Sequence, residues 1–349
     1  MVSRLRWIAQ QALALAIGIG SGWLAYRVQM PLPWMLGAMI GTTVAAMSGV
    51  PVSPPGHLRP LVIPIIGVML GSSLRADVVL TALGWIPSML LLPVFLSAAA
   101  GGAYLIYRRF GGYDPVTAFF AAMPGGLNEM VIYGAEVGAD ERRVALAHTV
   151  RILFAITAIA LFFGLYLGVS RGSTNSWLAL SAFAMTDVLW LSAAAIIGAA
   201  LARVVKIPAG SMLLPMVLSA AAHIGGLVSL PPPTLLVITA QVVMGTVIGC
   251  RFVGVRLSEI RLDLMLGLIT TLQMLVLAVG FAWLAHLVSG TARSQTFLAY
   301  APGGLTEMSL LALAMGQDVA YVSVTHIARI VLVLGSAPLV FRLFRRDRD

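Results

Sequence analysis

Met123-Pro124-Gly125-Gly126-Leu127-Asn128-Glu129-Met130 returns 178 positions later as Ala301-Pro302-Gly303-Gly304-Leu305-Thr306-Glu307-Met308. Both copies lie inside apolar stretches, where a proline and paired glycines break a helix. Each then carries a glutamate, which hydrocarbon rejects. The same register places Gly138 on Gly316, Asp140 on Asp318, His148 on His326 and Arg151 on Arg329. A duplicated, helix-breaking, charged motif in an apolar chain points to a polar site inside a membrane.

The rest of the composition agrees with a membrane setting. Of 349 residues, 60% are hydrophobic and 10% charged, against about 25% charged in soluble domains. The apolar runs are too long for barrel strands, so the expected fold is an all-α integral membrane protein. The formal charge of +9 comes from arginines scattered singly or in pairs between those runs. That pattern orients loops and gives no surface for direct nucleic-acid binding. Arg4 and Arg6 precede the first run, which reads as a retained span and not a cleaved signal. The single cysteine, Cys250, excludes an internal disulfide and a thiolate metal site. Among His57, His148, His223, His286 and His326, only the duplicated pair has symmetry. Their spacings suit neither zinc nor copper. No nucleotide loop and no Ser or Cys nucleophile arrangement is present. The expectation is therefore no enzyme, no cofactor and no metal.

The duplication extends beyond the motif. Gly67-Val68-Met69-Leu70-Gly71 matches Gly245-Thr246-Val247-Ile248-Gly249, and Pro31, Met35, Leu36 and Met39 match Pro208, Met212, Leu213 and Met216. Residues 1–178 and 179–349 thus read as two tandem repeats, divided near the polar Arg171–Ser176 linker. Apolar segments fall near 7–26, 32–50, 61–74, 79–107, 115–134 and 143–169, and again near 183–202, 208–228, 234–250, 264–289, 295–315 and 320–341. The Gly67/Gly71 and Gly245/Gly249 pairs fit close helix approach.

Loop charge bears on whether the Pro-Gly-Gly segments cross. With the N-terminus in the cytoplasm and all twelve segments crossing, basic residues divide 11 inside to 9 outside. If the two Pro-Gly-Gly segments enter and leave on one side, the division is 16 to 4, which the basic-loop rule prefers. Each repeat then has five spans plus a broken or re-entrant segment. An odd number inverts the second repeat, so the two breaks meet from opposite sides. Twelve crossings with parallel repeats, or breaks that cross as two half-helices, stay open.

The chemistry of the motif follows from its residues. Pro124 and Pro302 remove a backbone donor. Gly125, Gly126, Gly303 and Gly304 permit close backbone approach. The freed amides and carbonyls need partners that lipid cannot supply, and an ion or a substrate oxyanion can be one. Asn128 and Thr306 add neutral oxygens; Glu129 and Glu307 add a cation ligand or a proton carrier. His148 and Arg151 share a helix face, as do His326 and Arg329. Arginines this deep in apolar runs predict Glu–Arg contacts, or bidentate binding of an anionic substrate. The histidines suit either helix packing or proton relay.

The duplicated Pro-Gly-Gly-Leu-x-Glu-Met and the trailing His-x-x-Arg-Ile resemble the AbrB family of bacterial membrane proteins. That family is also known as the AbrB duplication family and carries an ammonia monooxygenase label. The resemblance covers essentially the whole chain. It implies a membrane regulator of gene expression, distinct from the small soluble DNA-binding protein of the same name. The residues here give no support to direct DNA binding or copper oxygenation, so regulation through a moved or sensed metabolite is the expected route.

Together these readings predict a secondary transporter in the bacterial inner membrane, both termini cytoplasmic, moving a small anionic solute coupled to H⁺ or Na⁺. The alternative is a membrane-embedded sensor that binds a signal at the same site and contacts a partner through Arg251–Arg261 or Arg342–Arg348. Its partners would be the bilayer and a small molecule or ion, with a homo-oligomer left open.

Overall fold

The computed structural model describes residues 2–74, 76–166, 177–255 and 257–346. The Arg171–Ser176 linker lies outside them, as do Arg256 in one basic stretch and Arg348 in the other. Among the described residues every regular element is helical. The first sequence half gives α1 (Val2–Arg27), α2 (Pro33–Met47), α3 (Arg59–Gly71), α4 (Leu92–Gly111), α5 (Pro115–Ala122), α6 (Leu127–Glu136) and α7 (Glu141–Tyr166). The second gives α8 (Met185–Val204), α9 (Gly210–Ile224), α10 (Thr234–Gly249), α11 (Leu257–Ser289), α12 (Arg293–Tyr300), α13 (Leu305–Ala314) and α14 (Val319–Arg346). Short helical turns over Val78–Met89 lead into α4.

Seven of these stretches are long and apolar enough to cross a membrane: Arg4–Arg27, Ala82–Gly111, Glu141–Phe163, Met185–Val204, Thr234–Phe252, Arg261–Ser289 and Val319–Ser336. The fold is all-α and of membrane type. The segments expected at 32–50, 61–74 and 208–228 form shorter helices of 15, 13 and 15 residues, below the roughly 20 that span a bilayer core. Local chemistry accounts for their ends. Helix α2 stops where Gly49 takes φ +80°, and α3 starts at Arg59-Pro60 and closes at Gly71. Helices α2 and α9 start alike, from residues in left-handed backbone: Leu32 at φ 45° and Ala209 at φ 55°. Left-handed backbone costs a residue with a Cβ about 1–2 kcal/mol, so packing must hold both helix starts.

By contact the chain forms two compact units, and neither is a sequence half. One holds Met1–Val78, Thr157–Leu257 and Ser309–Val319; the other holds Val79–Ile156, Ser258–Met308 and Ala320–Asp349. The expected repeats, 1–178 and 179–349, rest on repeated letters alone; packing divides the chain differently.

In the first unit, helices from different halves cross at glycines. A Cβ at Gly71 would stand 2.8 Å from Ser219 Cβ, and one at Gly67 3.1 Å from Pro215 Cβ, so α3 lies against α9. A Cβ at Gly245 would stand 3.0 Å from Ala38 Cβ, and one at Gly249 2.5 Å from Met39 O, so α10 lies against α2. At the first crossing Ser219 Oγ donates to Val68 O across 2.8 Å. The apolar filling around it includes Val68, Leu191, Ala194 and Ala222.

In the second unit, buried tyrosines tie distant segments. Tyr113 donates to Asp263 Oδ1 at 2.9 Å, and the Arg143 guanidinium stands 4.8 Å above the same ring. Tyr321 donates to Ser88 Oγ at 2.9 Å. Asp114 caps α5, accepting from the backbone N–H groups of Val116 (2.9 Å) and Thr117 (3.0 Å). Thr117 Oγ1 in turn accepts from the Asp140 N–H at 2.8 Å, fixing the start of α7 beside the start of α5.

Candidate functional site

Both Pro-Gly-Gly segments break their helices where the sequence predicts. In the first copy the halves are α5 and α6, of 8 and 10 residues; in the second, α12 and α13 repeat those lengths. At about 1.5 Å per residue each half is roughly 12 to 15 Å long, half of a bilayer core. The leading halves close with Met123 N–H on Phe119 O (3.2 Å) and Ala301 N–H on Phe297 O (2.9 Å). The next residue is proline, which has no N–H to continue the ladder.

That interruption leaves carbonyls without helical partners. The arginines supply the partners. Arg151 Nη2 donates to Met123 O at 3.1 Å, and Arg329 Nη1 donates to the equivalent Ala301 O at 2.9 Å. Arg329 Nη2 also donates to Gly303 O at 2.5 Å. Each arginine thus reaches back 28 residues to the same place in its own copy. The predicted Glu–Arg contact is replaced. Among the described residues, both guanidinium groups bond only to carbonyl oxygens and, for Arg151, to His148. The physical reason is proximity: the break itself creates acceptors beside helices α7 and α14, and cations at a helix C-terminus are favoured.

The histidines support this arrangement unequally. His148 Nε2 bonds to Phe120 O at 3.0 Å while its Nδ1 meets Arg151 Nη2 at 2.6 Å. The ring therefore carries its proton on Nε2 and accepts from the arginine. His326 Nδ1 bonds to Val322 O at 3.1 Å. Among the described residues its buried Nε2 meets no partner, and neither does Arg329 Nε. One copy is closed into a chain of bonds; the other keeps an unmatched donor on Arg329 Nε and an unmatched acceptor on His326 Nε2.

The glutamates occupy the first turn of each trailing half. Gly126 O and Gly304 O accept the first helical bonds, from Met130 and Met308 N–H at 3.0 Å each. Each glycine is thus the N-cap and each glutamate sits at the third helical position. From there a carboxylate can fold back over the helix start, as in a capping box. The structure does this twice: a Cβ at Gly126 would overlap Glu129 Oε2, and one at Gly304 would overlap Glu307 Oε2. The second glycine of each motif clears space for a carboxylate. The two carboxylates differ in setting: Glu129 is exposed, Glu307 buried.

The two copies converge. One cavity of about 110 Å³ is lined by Pro124, Gly125, Gly126, Arg151, Pro302, Gly303, Gly304 and Arg329, all predicted, together with Leu127, Ile152, Leu305 and Ile330. Copy-to-copy packing is direct, since a Cβ at Gly125 would meet Val333 Cγ1 on α14 at 2.9 Å. Glu129, Thr306, Glu307, His148 and His326 do not line the cavity. The Asn128 side chain lies outside the described residues. The four apolar lining residues belong to the duplicated letters, as Leu after Gly-Gly and Ile after Arg. The duplication was the signal that could have found them. Nothing in the sequence signals the carbonyls of Phe120, Met123, Ala301 and Gly303.

Comparison with known proteins places these residues in a family. The family model for "Transition state regulatory protein AbrB" matches residues 34–345. The chain is 27% identical over 344 residues to "Putative regulator AbrB" of Escherichia coli (strain K12), covering 97% of this chain and 96% of that protein. It is 26% identical over 354 residues to "Uncharacterized protein YhjN" of Bacillus subtilis (strain 168), covering 94% of this chain and 91% of that one. With the match running through both Pro-Gly-Gly motifs and both arginines, the chain belongs to the AbrB family.

Proposed function

We propose that this chain is a secondary transporter of a small anionic solute, coupled to H⁺ or Na⁺. The observation that carries the reading is the single cavity shared by two broken helices and two arginines. Broken helices that meet from two repeats are the usual frame of a transporter's binding site. About 110 Å³ is room for only a few water molecules, at roughly 30 Å³ each, which suits a small solute. Two guanidinium groups at the wall favour an anion. The carboxylates of Glu129 and Glu307, behind the helix starts, are the groups to exchange a proton or hold a cation. In this reading the protein lies in the bacterial inner membrane with both termini cytoplasmic, moves its solute unchanged, and has no nucleic-acid contact. The test is solute accumulation in proteoliposomes. Glu129→Gln and Glu307→Gln should each reduce it to background while the protein stays folded; normal uptake by both variants would overturn the proposal.

The names of the relatives favour a second reading, a membrane sensor acting on gene expression indirectly. A sensor would bind its solute at this cavity without accumulating it, so the same vesicles separate the two.

A further inference from the structure

A second cavity, of about 590 Å³, lies wholly within the first unit. Its size falls in the range of about 300–1,000 Å³ typical of small-molecule sites. Trp23, Tyr26, Trp34 and Trp177 form its aromatic wall, and Ser72, Ser73, Thr234 and Gln241 supply its polar groups. Among the described residues no charged side chain lines it.

Gln241 is the informative member. It sits in the middle of α10, 8% exposed. Among the described residues no hydrogen bond reaches its amide. An amide placed at that depth without a partner is costly, and here it borders an open volume. Its neighbours define what would satisfy it. Ser72 and Ser73 spend their protons on Met69 O and Leu70 O, each at 2.7 Å, and so present only lone pairs. Thr234 Oγ1 accepts from Leu178 N–H at 3.0 Å and keeps its own proton to donate. The free capacity is neutral and mixed: donors on Gln241 and Thr234, acceptors on Gln241 and both serines. A charged ligand would find no counter-charge, and a hydrocarbon would leave the amide unmatched. The stacked Tyr26 and Trp34 rings, 5.9 Å apart, favour a flat ring beside them.

The sequence duplication supplies a control. At the positions equivalent to Trp23, Tyr26 and Trp34 the other copy has Ala200, Arg203 and Ser211, and opposite Gln241 it has Ile63. The shared frame does not require these aromatic and amide residues, since the other copy does without them.

We propose that this cavity binds an uncharged, ring-bearing amphiphile with a hydroxyl or carbonyl group, taken from the bilayer, with that group on Gln241. The site is separate from the Pro-Gly-Gly cavity and stands whatever the transport assay shows. Equilibrium dialysis of the purified full chain in detergent, against protein-free micelles, tests it with three probes: 2-naphthol, naphthalene and 2-naphthoate. 2-Naphthol should bind about tenfold tighter than either of the others, the worth of one good hydrogen bond. Gln241→Leu should collapse that preference while leaving naphthalene bound. If Gln241→Leu does not fold, Gln241→Asn, one methylene shorter, should still reduce the preference. Equal or tighter binding of 2-naphthoate, or a preference that survives in the variant that folds, overturns the proposal.

Discussion

Gly126 and Gly304 owe their identity to a side chain three residues on. Each leaves the space that a folded-back glutamate occupies. Gly126→Ala and Gly304→Ala should therefore push the carboxylate off the helix start and, under the proposed transport function, lower solute uptake by about tenfold, the scale of one misplaced charge-assisted bond. Gly101→Ala is the control, because nothing lies within 4 Å of its added Cβ; uptake there should be unchanged. The breaks were legible at this scale because proline and glycine act through their own covalent geometry. The partners of Arg151 and Arg329 were not. A backbone carbonyl looks the same in every residue, so a reading of side chains pairs the arginines with the nearest carboxylates.

Helix ends show how much the elements owe to local chemistry. Asp114 starts α5 with two backbone bonds, while Ala292, the residue before α12, makes no side-chain cap. Asp114→Ala should cost about 1 kcal/mol of stability, read as an earlier unfolding transition in detergent. Burial alone would raise the Asp114 carboxyl, but hydrogen bonds from Thr117 and Val116 outweigh it and hold the group below its usual range. A depressed carboxyl stabilises above its unfolded pKa and loses that effect as pH falls through the folded value. The gap between wild type and Asp114→Ala should thus close on acidification; a gap independent of pH would deny the cap its ionised form. Within the described residues each of the twelve apolar segments of the sequence reappears as helix, since run length and Pro or Gly punctuation are local signals. The shortness of α2, α3 and α9 is less legible, because their apolar letters continue past the last helical turn.

For the molecule as a whole, loop charge and helix length do not count the same spans. Among the described residues seven stretches are long and apolar enough to cross unaided, whereas the charge tally prefers ten crossings with two broken segments re-entrant. Residue 139, between α6 and α7, decides between the arrangements. With Cys250 replaced and Ala139→Cys introduced, an impermeant thiol reagent should label only opened cells if the inverted arrangement holds. Labelling of intact cells would instead give twelve crossings and parallel repeats. Repeated letters suggest two halves, but the division of the chain into these two packed units is not legible in them. That division rests on crossings such as α3 on α9, and no local pattern states which apolar helix will meet which.

Those crossings share one form. Gly67 and Gly71 meet residues of α9 just as Gly245 and Gly249 meet residues of α2. Exchange the labels of the two halves and the set of contacts maps onto itself. A contact set with that property has the form of a two-fold interface between identical subunits. The two crossings are therefore interchangeable in form but not in letters, since Trp34 stands at the start of α2 where Ser211 stands at the start of α9. A substitution at either place acts on one crossing alone.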